Sequence, residues 1–166
     1  MHLTFADATA ADVDVIVALQ DENVAALTAR FGRGHWSTAT TPRGLAFSMR
    51  HGRQRVGRYE GRIVTTLRLA TRKPWAIDAA YFTPCKRPVY LTGMVVATSH
   101  QGRGFGRAAL QDAIAGAREW PAGAIRLDAY DAPAGAGAFY ARCGFEERGR
   151  VVYRQTPLVY YERRLP

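Results

Sequence analysis

Met94-Val95-Val96-Ala97-Thr98-Ser99-His100-Gln101-Gly102-Arg103-Gly104-Phe105-Gly106-Arg107 joins an apolar run to a glycine-rich turn. The run from Val89 to Ala97 is almost continuously apolar and reads as a buried strand. Past the turn, Ala109, Leu110, Ala113, Ile114 and Ala117 recur at helical spacing as far as Trp120-Pro121. Strand, turn and amphipathic helix therefore follow in order. At such a turn successive backbone N–H groups point outward, and the helix dipole adds partial positive charge, so phosphate oxygens bind there. Gly102, Gly104 and Gly106 carry no Cβ and let a pyrophosphate approach the main chain. Arg103 and Arg107 bring positive charge close by. No Lys-Ser or Lys-Thr follows, so this is not a Walker loop. The GxGxG spacing, without a repeated βαβ half, departs from the dinucleotide fingerprint. Taken alone, the stretch is also compatible with a plain tight turn.

Upstream, Thr9 followed by Asp12 has the spacing of a capping box, and Val13, Ile16, Val17, Val24, Leu27 and Phe31 continue at helical period. Gly32 and Gly34 stop that helix. Thr41-Pro42 opens a second, short helix through about Met49. Val56 to Tyr59 and Arg62 to Ala70 form a hairpin around Glu60-Gly61. Residues 71 to 88 hold three prolines and the aromatics Trp75, Tyr81 and Phe82. That composition reads as a long ordered loop, not a linker. Downstream, Ala124 to Tyr130 is a strand, Gly135 to Arg142 a helix, and Phe145 to Arg154 with Leu158 to Leu165 a final hairpin. This order implies a mixed α/β domain with helices packed on a central sheet.

Gln101-x-x-Gly104-x-Gly106 after Met94-Val95-Val96 resembles the acetyl-CoA-binding motif of the GNAT family of N-acetyltransferases. Phe139-Tyr140-Ala141-Arg142-Cys143-Gly144-Phe145 looks like that family's FYxxxGF signature, at the family's usual distance. The order of elements along the whole chain agrees. The resemblance implies one GNAT-like domain over residues 1–166, with the acyl-CoA N-acyltransferase fold: α/β, a central mixed and mostly antiparallel sheet flanked by helices.

It also implies roles. The backbone of Met94, Val95 and Val96 would pair with the pantetheine arm of acetyl-CoA. The turn Gln101, Gly102, Arg103, Gly104, Phe105, Gly106, Arg107 would hold the pyrophosphate. Tyr140 would act as general acid beside the CoA sulfur, because the departing thiolate needs a proton or a hydrogen bond. A backbone N–H at the strand bulge could polarise the thioester carbonyl. Asp128, twelve residues before Tyr140, stands where a subgroup of the family has a catalytic Glu. It is read either as the base, acting through water, or as a solvated strand-end carboxylate. Seven residues before Tyr140 the family often has an Asn, and this chain has Pro133. By the same resemblance the acceptor amine enters near Phe31 to Trp36 and the 71–88 loop, with Trp36, Trp75 and Tyr81 as candidate contacts.

The expected reaction is direct attack by a primary amine on acetyl-CoA in a ternary complex. The amine belongs to a small molecule, a protein N-terminus or a lysine. The alternative is a non-catalytic CoA-binding sensor or scaffold. A formal charge of +9 raises nucleic acid as a third partner. The arginines are nevertheless dispersed from Arg30 to Arg164 without a dense basic block, which weighs against it. Cys85 and Cys143 make neither a metal cluster nor a disulfide framework, so no metal is expected, and Cys143 reads as a small core residue. No apolar run reaches the roughly 18 residues that span a bilayer, and the acidic N-terminus does not read as a signal peptide. A cytoplasmic protein is expected. Leu158 to Tyr161 reads either as a strand that pairs across a homodimer or as a plain edge strand.

Overall fold

Short local signals place most elements in the computed structural model, which describes residues 2–166. The chain opens with strand β1 (Thr4–Asp7), which sequence reading missed. Its four residues are mostly exposed and show no alternation, and it exists because it pairs antiparallel with β2 (Arg53–Tyr59). The Asp12 carboxylate then accepts from the Thr9 N–H (2.9 Å) and hydroxyl (3.3 Å), fixing a 3-10 turn over Ala10–Asp12. Helix α1 (Val13–Phe31) follows and ends at Gly32, whose φ of 78° only glycine adopts without strain. Helix α2 (Pro42–Met49) starts where Thr41 and Pro42 predict: the Thr41 hydroxyl accepts from the Gly44 N–H at 3.0 Å. β2 turns into β3 (Arg62–Ala70) through Glu60 and Gly61, both at positive φ as a primed two-residue hairpin turn requires. Strand β4 (Pro88–Val96) leads into helix α3 (Phe105–Glu119). Strand β5 (Ala124–Tyr130), helix α4 (Gly137–Arg142) and the hairpin β6 (Glu146–Tyr153) and β7 (Thr156–Arg164) complete the chain.

Hydrogen bonding links the seven strands in the order β1-β2-β3-β4-β5-β7-β6. β4 and β5 run parallel, while β1/β2, β2/β3, β5/β7 and β6/β7 are antiparallel. The sheet is mixed and mostly antiparallel, as expected. One expectation is corrected. Leu158 to Tyr161 lie on β7, which is paired with β5 on one side and β6 on the other. Its backbone groups are consumed inside the chain, so this segment is neither an edge strand nor free to pair across a dimer.

Two compact units make up the chain: one up to Leu69 with Gly93–Ala113, the other Ala70–Thr92 with Ile114–Pro166. In the first, Val13 and Ile16 of α1 pack with Leu45 and Val56. Leu19, one turn further along α1, packs with Val64, Ala97 and Phe105. In the second, Ile77, Phe82, Tyr90 and Tyr160 form a cluster. Cys143 is only partly buried, because it caps the end of α4 and is not inside a core.

Candidate functional site

Strand β4 changes character halfway. Val89, Tyr90 and Leu91 are buried, and registered pairing with β5 covers Pro88↔Ala124, Val89↔Ile125 and Tyr90↔Arg126. Gly93 then takes φ 59°, a conformation that costs a residue with a Cβ. Met94, Val95 and Val96 beyond it are partly buried. The first unit continues with Ala97, whose N–H donates to Val64 at 2.8 Å, and a 3-10 turn over Thr98–His100.

Residues 101–104 form the turn ahead of α3. Gly102 (φ 71°) and Gly104 (φ 86°) both sit in the left-handed region. A Cβ at Gly102 would meet nothing within 4 Å, so glycine is there for its dihedral and the turn surface is open. Gln101, Gly102, Arg103, Gly104 and Arg107 are exposed, whereas Phe105 is buried and anchors the start of α3. Its ring meets those of Tyr59 (5.2 Å) and His100 (5.1 Å) edge-on, and the Arg103 guanidinium lies 5.5 Å from its centroid. Gly106 falls in the first turn of α3. An exposed turn with two left-handed glycines, opening onto the N-terminus of a long helix with arginines around it, fits a diphosphate.

The Gln101 side chain is engaged within the protein. Its Nε2 donates to the Val96 carbonyl (3.1 Å) and to Asn23 Oδ1 (3.0 Å) of α1. Beside it, Glu22 Oε1 accepts from the Thr98 N–H (3.0 Å) and from the Thr98 hydroxyl. Sequence reading passed over Glu22 and Asn23 because polar residues on a helix default to a solvated face. The available signal was spacing: they stand three and four residues after Leu19, on the face that Leu19 buries.

In the second unit, Tyr140 sits on the six-residue helix α4 and is 8% exposed. Phe139, Phe145 and Tyr161 surround its ring at 5.3, 5.8 and 6.2 Å. Burial, then the negative charge of Asp128, then Cys143, push its phenol well above the usual tyrosine range. Gly144 (φ 82°) ends α4, and Arg163 donates to the Cys143 carbonyl at 2.6 Å. Asp128 is half-buried on β5, opposite Tyr160 in the register. Strand alternation puts Asp128 on the Tyr160 face of the sheet and Leu127 on the Tyr161 face. Its charge nevertheless acts on both Tyr140 and Tyr160.

The candidate acceptor residues separate. Trp36, in the first unit, is half-buried against Phe31 and His35. Trp75 (80% exposed) and Tyr81 (40%) belong to the second. Tyr81 rests edge-on against Tyr160 and over Gly149, where a Cβ would come within 2.4 Å of its ring. The 71–88 loop is ordered because its polar groups are tied down. Tyr160 donates its hydroxyl to the Ala76 carbonyl and accepts from the Asp78 N–H (3.1 Å). The buried pair Arg126–Glu162 (3.0 Å) bonds both sides of Thr83: Arg126 donates to its carbonyl (2.6 Å) and Glu162 accepts from its N–H (3.3 Å).

Among the described residues, no helix is long and apolar enough to cross a membrane. The family model for the acetyltransferase (GNAT) family matches residues 16–145. No curated protein matches the chain in sequence. Among solved structures, the chain is similar to a ribosomal-protein-alanine N-acetyltransferase from Brucella melitensis, with 21% identity, TM-score 0.75, and coverage of 98% of this chain and 99% of that one. It is similar to a GNAT-family acetyltransferase from Streptococcus agalactiae, with 16% identity, TM-score 0.76, and coverage of 99% and 96%. It is also similar to yncA from Salmonella typhimurium, solved with its cofactor acetyl-CoA, with 18% identity, TM-score 0.69, and coverage of 99% and 94%.

Proposed function

The chain belongs to the acetyltransferase (GNAT) family, and on that premise we propose that residues 1–166 act as one N-acetyltransferase domain. It takes the acetyl group from acetyl-CoA and places it on a primary amine of a small molecule, a protein N-terminus or a lysine. The observation that carries this reading is the exposed turn Gln101–Gly104, with its two left-handed glycines, at the start of α3. A relative of the same fold is solved with acetyl-CoA, which supports the choice of cofactor.

When bound, acetyl-CoA supplies an acyl group already activated as a thioester. The protein's own contributions are positional and protic. Backbone N–H groups of the turn hold the diphosphate, and Arg103 and Arg107 neutralise part of its charge. The main chain of Met94 to Val96, which follows the left-handed Gly93, receives the pantetheine arm. Tyr140 supplies a proton or hydrogen bond to the departing thiolate, and its raised affinity for its proton keeps it a donor across the neutral range. Asp128 takes the role of base through water, with its charge close enough to act on Tyr140. Trp36, Trp75 and Tyr81 are proposed to contact the acceptor. Cys143 carries no acyl group in this scheme, since the amine attacks acetyl-CoA directly.

Calorimetric titration of the full chain with acetyl-CoA tests the reading, beside the variant Arg103→Glu. Charge reversal at this exposed position leaves the backbone undisturbed, whereas any replacement of Gly104 would strain its φ. Saturable binding, weakened roughly tenfold or more by Arg103→Glu, is the expected result. A folded wild type that does not bind acetyl-CoA would overturn the proposal.

A further inference from the structure

Two polar residues of α1 reach the turn that receives the cofactor. Asn23 Oδ1 accepts from Gln101 Nε2 at 3.0 Å, and the same nitrogen donates to the Val96 carbonyl at 3.1 Å. One amide group thus ties the last residue of β4 to α1. Glu22 accepts twice from Thr98, through the backbone N–H and the hydroxyl. Asn23 is itself oriented, because its Nδ2 donates to the Leu19 carbonyl at 3.0 Å. Leu19 is buried against Val64, Ala97 and Phe105, which fixes the height of α1 over the turn. Both ends of the segment 98–101 are therefore held from one side by one helix. Gly102, Arg103 and Gly104, which follow that segment, are exposed to solvent.

We infer that Asn23 and Glu22 are positioning residues for the diphosphate of acetyl-CoA, acting through Gln101 and Thr98, and that the Gln101 side chain is a strut and not a ligand contact. The inference rests on the reading of the turn as the acyl-CoA site. Its physical basis is the cost of ordering. Gly102 and Gly104 make the turn flexible by composition, since glycine has the most conformational freedom to lose. A diphosphate binds tightly only where several N–H groups already converge. The four hydrogen bonds from 98–101 to α1 and to Val96 hold that convergence before the ligand arrives.

The test is calorimetric binding of acetyl-CoA to the full chain in Asn23→Leu, Asn23→Asp, Gln101→Leu and the Asn23→Leu/Gln101→Leu double variant, with folding checked by circular dichroism. Asn23→Leu and Gln101→Leu are each expected to weaken binding roughly 3- to 10-fold, the range of one or two hydrogen bonds. Asn23→Asp keeps the acceptor for Gln101 but gives up the donation to Leu19, and should lose less affinity than Asn23→Leu. The double variant should be close to the worse single one and well short of the product of the two losses, since the Asn23–Gln101 bond is common to both. Wild-type affinity in Asn23→Leu, or losses that multiply in the double variant, would overturn the inference while leaving the acyl-CoA reading intact. Should Asn23→Leu fail to fold, Gln101→Glu carries the test. It sets a carboxylate against Asn23 Oδ1 and the Val96 carbonyl, and unchanged affinity there would overturn the inference equally. Failure of wild type to bind acetyl-CoA would overturn the acyl-CoA reading, and this inference with it.

Discussion

At Tyr140 two demands meet in one side chain. The ring is packed among Phe139, Phe145 and Tyr161, so its body serves the core, yet its hydroxyl is the proposed proton donor. Burial and the neighbouring Asp128 charge raise its pKa above the ordinary 10.0. The sign follows directly. The folded protein holds the phenol proton more tightly than the unfolded chain does, so stability is unaffected below pH 10 and falls as pH rises beyond it. Activity should behave consistently with that. The acceptor amine must lose its own proton, so kcat rises with pH, and Tyr140 should cause no downturn before about pH 10. Tyr140→Phe removes the donor while keeping the ring. A fall in kcat of roughly 100-fold or more, with folding and acetyl-CoA affinity retained, is expected from rates of free-thiol release with an amine acceptor. Undiminished turnover in Tyr140→Phe would leave the ring as packing alone.

The loop at residues 71–88 shows how an element without regular secondary structure is held in place. Arg126 and Glu162 are 5% and 2% exposed and spend their remaining hydrogen-bonding capacity on the backbone of Thr83. Glu162→Gln would leave the Arg126 charge buried without its counter-ion. Loss of one partner of such a pair costs about 3 to 5 kcal/mol. The urea midpoint should drop accordingly, and hydrogen exchange should accelerate over residues 76–84 before it does in β5. The variant also takes away the carboxylate that Arg148 faces at 3.8 Å, so an unchanged midpoint would mean that the buried pair contributes no net stability. None of this was legible from sequence. Arg126 and Glu162 lie 36 residues apart and meet only because β5 and β7 pair in register. What was legible was local: the Thr41-Pro42 helix start, the Glu60-Gly61 hairpin and the glycine turn after β4 each rest on dihedrals or caps within four residues. β1 was hidden because four mostly exposed residues carry no pattern without their partner. β7 was misplaced because the order β5-β7-β6 is a property of strand insertion, which no periodicity encodes. The site divides the same way. The turn residues announce themselves by composition, while Glu22 and Asn23 become visible only when α1 is laid against β4.

Over the whole molecule, the charge of +9 can be sorted by what the arginines meet. Arg53 and Arg55 face Asp7, and Arg55 also holds Asp112 at 2.7 Å. Arg58 pairs with Asp12, Arg126 with Glu162, and Arg150 with Asp131 and Glu147. Carboxylates thus neutralise these positions locally, and their fields fall off quickly. Arg103 stands exposed on the turn, next to the N-terminus of α3, and Arg107 is exposed in the first turn of that helix. The remaining excess is spread over the surface and acts as a weak, long-range attraction for a polyanion. Raising ionic strength from about 0.1 M to about 1 M shortens the Debye length from about 10 Å to about 3 Å. The dispersed charge is then screened, while contacts inside the turn survive. In stopped-flow binding of acetyl-CoA, the association rate should therefore fall roughly tenfold over that range, with the dissociation rate changed far less. Arg103→Glu should slow association and also speed dissociation, because it alters a contact as well as the field. An association rate indifferent to salt would reduce the +9 to a compositional bias. Tight binding of duplex DNA, with affinity falling steeply as salt rises, would instead assign the dispersed arginines to phosphate contacts along a nucleic acid.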